Sequence, residues 1–134
     1  MERLDPLRNP RRPGPNVLVV DDDKWTRDLL QRHLAEAGYG VALADDATAA
    51  ARLLLESAPD LLVIGVQMPY LNGLDFVSAL LADSNVPVVF ISSNERFAST
   101  ARVLGAGFLV KPFFKHELLD TVSATLAGKP AAVA

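Results

Sequence analysis

From Asn16 onward, short apolar runs alternate with longer segments of helical period, about five times over. The runs are Asn16 to Val20, Gly40 to Leu43, Asp60 to Ile64, Val86 to Ile91 and Gly107 to Val110. Most are apolar at consecutive rather than alternate positions. Strands read that way when both faces are buried, which needs crossover helices on each side of a parallel sheet. The intervening segments carry helical stripes: Trp25, Leu29, Leu30, His33, Leu34 and Ala37 in the first, and Ala50, Leu53, Leu54 and Ala58 in the second. A third runs from about Gly73 through Phe76, Val77, Leu80 and Leu81, a marginal fourth from about Glu95 to Leu104, and a fifth from Lys115 to Leu126. Gly38 and Gly105 stand where helices stop. The pattern predicts an α/β fold, a doubly wound five-stranded parallel sheet. Ligands of such sheets bind outside the carboxyl ends of the strands, so candidate chemistry is sought there.

Composition narrows the picture. The 134 residues suit one domain, and half of them are hydrophobic, which excludes a disordered chain. The division expected is a flexible Pro- and Arg-rich leader over 1–15, a domain over 16–127 and a short flexible tail over 128–134. The leader carries Arg3, Arg8, Arg11 and Arg12 against Glu2 and Asp5; with Lys129 set aside as well, the remainder has a net charge of −6 within a chain total of −3. An acidic body disfavours direct contact with nucleic acid. No apolar run approaches the roughly 18 residues of a membrane span, and prolines stand where a signal peptide would have its apolar stretch. Cysteine is absent, which removes disulfides, thiolate metal sites and Cys nucleophiles. A cytoplasmic location is expected.

At the strand ends the residues become specific. The first strand ends in Asp21, Asp22 and Asp23. An Asp before a helix caps free N–H groups, which accounts for Asp23; three adjacent carboxylates call in addition for a nearby cation, a hard metal ion or an ammonium. The fourth strand ends at Ser92 and Ser93, and the fifth at Lys111-Pro112, where Lys111 is a credible counter-ion and the proline raises the chance of a cis bond to about 5–6%. The third strand ends at Gly65, so no reactive side chain stands at its tip. Asp60, at the start of that strand, is about 16 Å from the tip. His33 and His116 fall on helices away from the strand ends and are read as structural or surface residues, and Trp25 as a packing residue.

Acids after strand one, a hydroxyl after strand four and Lys-Pro after strand five resemble the receiver domain of bacterial response regulators. VLVVDDD, PDLLVIGVQMPYLNGLDF, VPVVFISS and LVKPF are similar to that family's motifs, in order, over about Asn16 to Leu126. The resemblance implies a flavodoxin-like (βα)5 fold and a place in two-component phosphorelay signalling. In the family an Asp at the tip of strand three takes a phosphoryl group from a histidine kinase, with Mg²⁺ held beside it.

Counted back from Met68-Pro69, the acceptor position here is Gly65, which has no nucleophile. The other parts carry over by resemblance: Asp21 and Asp22 as the acidic pair for metal, Gln67 as the source of a backbone carbonyl, and Ser92, Phe108 and Lys111 as the switch residues. Loss of one carboxylate weakens Mg²⁺ binding. The expectation is an atypical receiver that is not an enzyme and binds a protein, a histidine kinase or a downstream signalling protein, independently of phosphorylation. Phe113 and Phe114 are read, like Trp25, as packing residues, with a second reading in which the apolar pair contributes to a protein-binding face on the fourth-helix to fifth-helix side, where a homodimer is also conceivable. The alternatives are a receiver phosphorylated on a non-standard residue such as Asp22, Ser92 or Ser93, and a doubly wound domain binding a small anion or nucleotide.

Overall fold

The computed structural model describes residues 14–69 and 71–128. Most of the Pro- and Arg-rich leader and of the tail therefore lies outside the described residues. In chain order the elements are β1 (Asn16–Val20), α1 (Lys24–Glu36), β2 (Gly40–Ala44), α2 (Ala47–Glu56), β3 (Leu61–Gly65), the short β4 (Gln67–Met68) and β5 (Leu71–Asn72), and α3 (Gly73–Leu81). They continue with β6 (Val88–Ser92), a 3₁₀ turn (Glu95–Phe97), α4 (Ala98–Val103), β7 (Gly107–Val110) and α5 (Lys115–Leu126).

Five parallel strands form one sheet in the order β2-β1-β3-β6-β7. The expected doubly wound five-stranded sheet is present, with its topological switch between β1 and β3. Alternation within each strand divides the core in two. Leu18, Val20, Leu62, Ile64, Val88 and Phe90 face the α2, α3 and α4 side with Ala50, Val77 and Ala101. Val17, Val19, Leu61, Val63, Val89 and Ile91 face α1 and α5 through Leu30, Leu34, Leu118 and Val122. Each fully buried Leu, Ile or Val contributes about 1.5–3 kcal/mol relative to exposure, which explains why the central strands read as continuous apolar runs.

Local signals fix the helix ends. Asp23, Asp46 and Asn72 cap α1, α2 and α3 by accepting from Thr26, Ala49 and Leu74 N–H groups. Gly38 (φ 97°) and Gly105 (φ 73°) take the left-handed conformation that terminates α1 and α4.

Several boundaries and one packing assignment differ from the sequence reading. β6 begins at Val88 rather than Val86, because Pro87 has no N–H to give the ladder, although its carbonyl accepts from Leu62 N at 2.9 Å. β2 extends one residue further, to Ala44, and β3 ends at Gly65 as read but begins at Leu61, one residue after Asp60. The marginal fourth helix divides into a 3₁₀ turn and six α-helical residues, among which only Ala101 is buried. Trp25 is not a packing residue: it is 78% exposed. The Asp23 cap turns Thr26 inward instead, with the Thr26 hydroxyl donating to Asp23 Oδ2 at 2.6 Å. β4 and β5 form an antiparallel hairpin, pairing Gln67 with Asn72 and Met68 with Leu71, that the apolar pattern did not predict.

Candidate functional site at the carboxyl edge of the sheet

The strands deliver Asp21, Gly65, Ser92 and Lys111 to one edge of the sheet. Asp21 follows β1 directly and is 2% exposed, the one charged residue among the buried polar residues described. Its backbone N–H donates to Ala44 O at 3.2 Å, which extends the β1 and β2 ladder by one step. Its carbonyl oxygen accepts from Arg27 Nη1 at 2.7 Å. Oδ1 accepts from Asp23 N at 2.9 Å, and Oδ2 from Lys111 Nζ at 3.3 Å. Of the cations that three adjacent carboxylates call for, an ammonium is in place: Lys111 pairs with Asp21 among the described residues. A carboxylate this buried needs such a partner, because an unpaired buried charge is strongly unfavourable.

Gly65 lies opposite. A β-carbon at this position would stand 2.9 Å from Asp21 Oδ2, 3.5 Å from Asp21 Cγ and 3.6 Å from Met68 Cγ. The Asp21 carboxylate thus occupies the space through which a side chain on residue 65 would leave the backbone. From the other direction the Gly65 carbonyl is approached by Gly73, whose N–H donates to Val66 O at 2.7 Å. A β-carbon on Gly73 would collide with the Gly65 carbonyl oxygen, so only glycine allows α3 to begin this close.

The remaining sequence candidates are placed around this core. Ser92 ends β6, is 5% exposed, and its Oγ accepts from Asn94 N at 3.0 Å. Its carbonyl accepts from Lys111 N at 2.9 Å, so the serine and the lysine are joined through backbone. Lys111-Pro112 is a cis peptide bond, the minority isomer that the proline makes accessible. Phe108, on β7, is half-buried against the α2–α4 half of the core. Asp22 and Gln67 are both exposed, Asp22 beside Asp21 and Gln67 in the hairpin after β3. Asp23 is the helix cap, and the Thr26 hydroxyl holds its carboxyl below the ordinary carboxylate range.

The donors that the resemblance assigns to Mg²⁺ lack a carboxylate at position 65. Both Asp21 oxygens already accept hydrogen bonds, Gly65 offers none, and among the described residues no group of three or more His, Asp or Glu is placed to hold a metal ion. Sequence reasoning missed Arg27 and Asp60. Arg27 sits six residues after the carbonyl it clamps, a spacing with no motif attached. Asp60, excluded as chemistry, ties the strands at the opposite edge, its Oδ2 accepting from Asn16 N at 2.7 Å.

Known proteins agree with this fold. The profile of the response regulator receiver domain matches residues 17–123. The chain belongs to the response regulator receiver domain family. This receiver domain is 41% identical over 117 residues to the transcriptional regulatory protein PrrA of Mycobacterium tuberculosis, covering 84% of the chain and 50% of that protein. It is 35% identical over 114 residues to the response regulator MprA of Mycobacterium leprae, covering 82% of the chain and again 50% of the relative. The chain thus spans about half the length of the curated relatives it matches. Among solved structures, the receiver domain of NtrX from Brucella abortus superposes with a TM-score of 0.78 at 30% identity, covering 84% of this chain and 98% of that one. The chemotaxis protein CheY4 of Vibrio cholerae gives 0.74 at 30% identity, with 81% and 96% covered. The flavodoxin-like receiver fold and a place in two-component signalling are established by these matches. Among the described residues no helix is long and apolar enough to cross a membrane.

Proposed function

We propose that this receiver domain signals by binding a protein without forming an acyl phosphate on the third strand. The observation that carries the reading is the relation of Gly65 to Asp21 and Lys111. Covalent transfer to an aspartate needs a carboxylate at the tip of β3, and Gly65 supplies only backbone. The lysine that the family resemblance assigns to the phosphoryl group is engaged with Asp21 instead.

In this reading Asp21 and Lys111 hold the carboxyl edge in one arrangement, and Ser92 and Phe108 occupy the switch positions without a phosphoryl group to move them. A partner then biases the domain only through unequal affinity for its conformations. Mg²⁺ binding through Asp21, Asp22 and the Gln67 carbonyl is weakened, since one carboxylate is missing and another is paired with an ammonium. The domain is a binding module rather than an enzyme, its home is the cytoplasm, and its partner is a histidine kinase or a downstream signalling protein.

Intact mass after incubation with Mg²⁺ and acetyl phosphate tests this, run on the wild type and on Gly65→Asp. The expected result is an unmodified wild type beside a variant that gains one phosphoryl group. Stoichiometric phosphorylation of the wild type overturns the reading and directs attention to Asp22, Ser92 or Ser93.

A further inference from the structure

Among the described residues the large exposed hydrophobic side chains are Trp25, Leu55, Val103 and Phe114. Trp25 follows Lys24, which already pairs with Asp28 one turn on at 2.6 Å. Phe114, exposed rather than packed, precedes Lys115, which pairs with Glu36 at 2.9 Å. Val103 ends α4, a helix that carries Arg102 and no acid. Leu55 is different. It is 89% exposed on α2 and stands between Arg52 and Glu56, both exposed and neither in an ion pair among the described residues. A basic residue four positions before an acidic one is the less favourable order for pairing within a helix. Both charges are left for another chain.

Beside that face, α2 and α3 leave an open groove of about 830 Å³ at the amino end of the sheet, with Ala51, Leu54, Leu55, Phe76 and Leu80 in its wall. An exposed apolar side chain at the border of an apolar groove marks a contact surface. The charges of α2 say what covers it. Arg52 and Glu56 lie one turn, about 6 Å, apart, so the exposed face is positive toward its N-terminal end and negative toward its C-terminal end. A second α2 laid antiparallel about a twofold axis midway between them sets Arg52 of one protomer against Glu56 of its partner, twice over. The same axis brings the two Leu55 side chains together at the mouths of the grooves. Laid parallel, the helices would oppose like charges.

We infer that the occupant of this face is a second copy of the chain, docked through antiparallel α2 helices with reciprocal Arg52 to Glu56 pairs and Leu55 at the axis. The contact is little more than one helix wide, less than a stable dimer needs, so its dissociation constant is expected at roughly 100 µM. α2 packs on the half of the core that holds Leu18 and Phe90, whereas α1 and α5 pack on the other half. The dimer thus leaves the α1 and α5 side of both protomers open to a different protein.

Sedimentation velocity of the full chain from about 10 µM to about 1 mM should show the average mass rising from monomer toward dimer. Arg52→Glu and Glu56→Arg should each weaken self-association at least about tenfold, because either one turns two attractive contacts into two repulsive ones. An equimolar mixture of these two variants should associate again, and so should the double variant Arg52→Glu/Glu56→Arg, since both arrangements restore opposite charges across the axis. Leu55→Asp should leave a monomer. All three side chains are exposed, and a thermal melt of each variant checks that the fold is kept. A wild type that stays monomeric throughout overturns the proposal and leaves the groove to an unrelated partner. Association that survives the single reversals, or that the mixture does not regain, overturns it as well, since the dimer would then use another face.

Discussion

The Oδ2 atom of Asp21 stands 2.9 Å from the point at which a β-carbon on Gly65 would lie. Position 65 and position 21 are therefore energetically coupled, although one of them has no side chain. Gly65→Ala must push the Asp21 carboxylate aside and strain its pair with Lys111, so a lowered melting temperature is expected. In an Asp21→Ala background the obstacle is gone, and the same substitution should stabilise by about 0.4–1 kcal/mol through the reduced freedom of the unfolded chain. A double-mutant cycle from denaturant melts reads the coupling. Additive effects would show that the carboxylate moves freely.

Lys111 neutralises a carboxylate that is 3% exposed while itself being 29% exposed. Lys111→Met keeps the length of the side chain and removes the charge, leaving Asp21 with only the Asp23 N–H as partner to its carboxylate. A loss of about 1–3 kcal/mol is expected. Adding Asp21→Asn should recover part of it. If the double variant is no more stable than Lys111→Met, the ion pair is not what the lysine contributes.

Addition of Mg²⁺ separates the two states of the site. Millimolar Mg²⁺ should leave the wild-type melting temperature unchanged and raise that of Gly65→Asp, because a ligand stabilises only the state that binds it. An equal rise in both would mean that Asp21 and Asp22 suffice for the metal.

Acid should weaken the fold through two identified carboxyls. The Thr26 hydroxyl lowers the Asp23 value, and Lys115, whose Nζ donates to Glu36 at 2.9 Å, lowers that of Glu36. Depressed folded-state values mean that both contributions are complete above the unfolded carboxylate range near about 4. They are lost as the pH falls through the lower folded values. Melts between about pH 5 and about pH 2 should show a falling midpoint, and Asp23→Asn, which caps without titrating, should flatten part of the fall. An unchanged slope removes Asp23 from that account.

Gly73→Ala tests the close approach of α3 to the third strand. Its β-carbon meets the Gly65 carbonyl oxygen, which is backbone and cannot swing away. A loss of about 1–3 kcal/mol is expected in chemical denaturation, and a smaller one would show that the β4–β5 hairpin yields.

The architecture was legible because both halves of the core use the same strands, so Val17 to Val20 and Leu61 to Ile64 are apolar without interruption. Asp21, Ser92 and Lys111 were legible as strand-end residues, and Gly65 as a gap among them. Geometry supplied what spacing does not encode. The inward turn of Thr26 and outward turn of Trp25 depend on the Asp23 cap. The clamp from Arg27 to the Asp21 carbonyl depends on where α1 leaves the strand. The β4–β5 hairpin has only two residues in each strand, too few for any period to register.

Gly65 keeps its place in the sheet through main chain alone, in register with Ile91 and followed by Val66 N donating to Ile91 O at 2.9 Å. The sheet therefore registers no loss when the side chain at that position is deleted. In the proposed reading a partner grips contour, set by helices whose anchors lie well below the strand tips. On that reading the outline of the receiver stands without its chemistry, and a protein that grips the outline has no direct means of telling whether the reactive group is there.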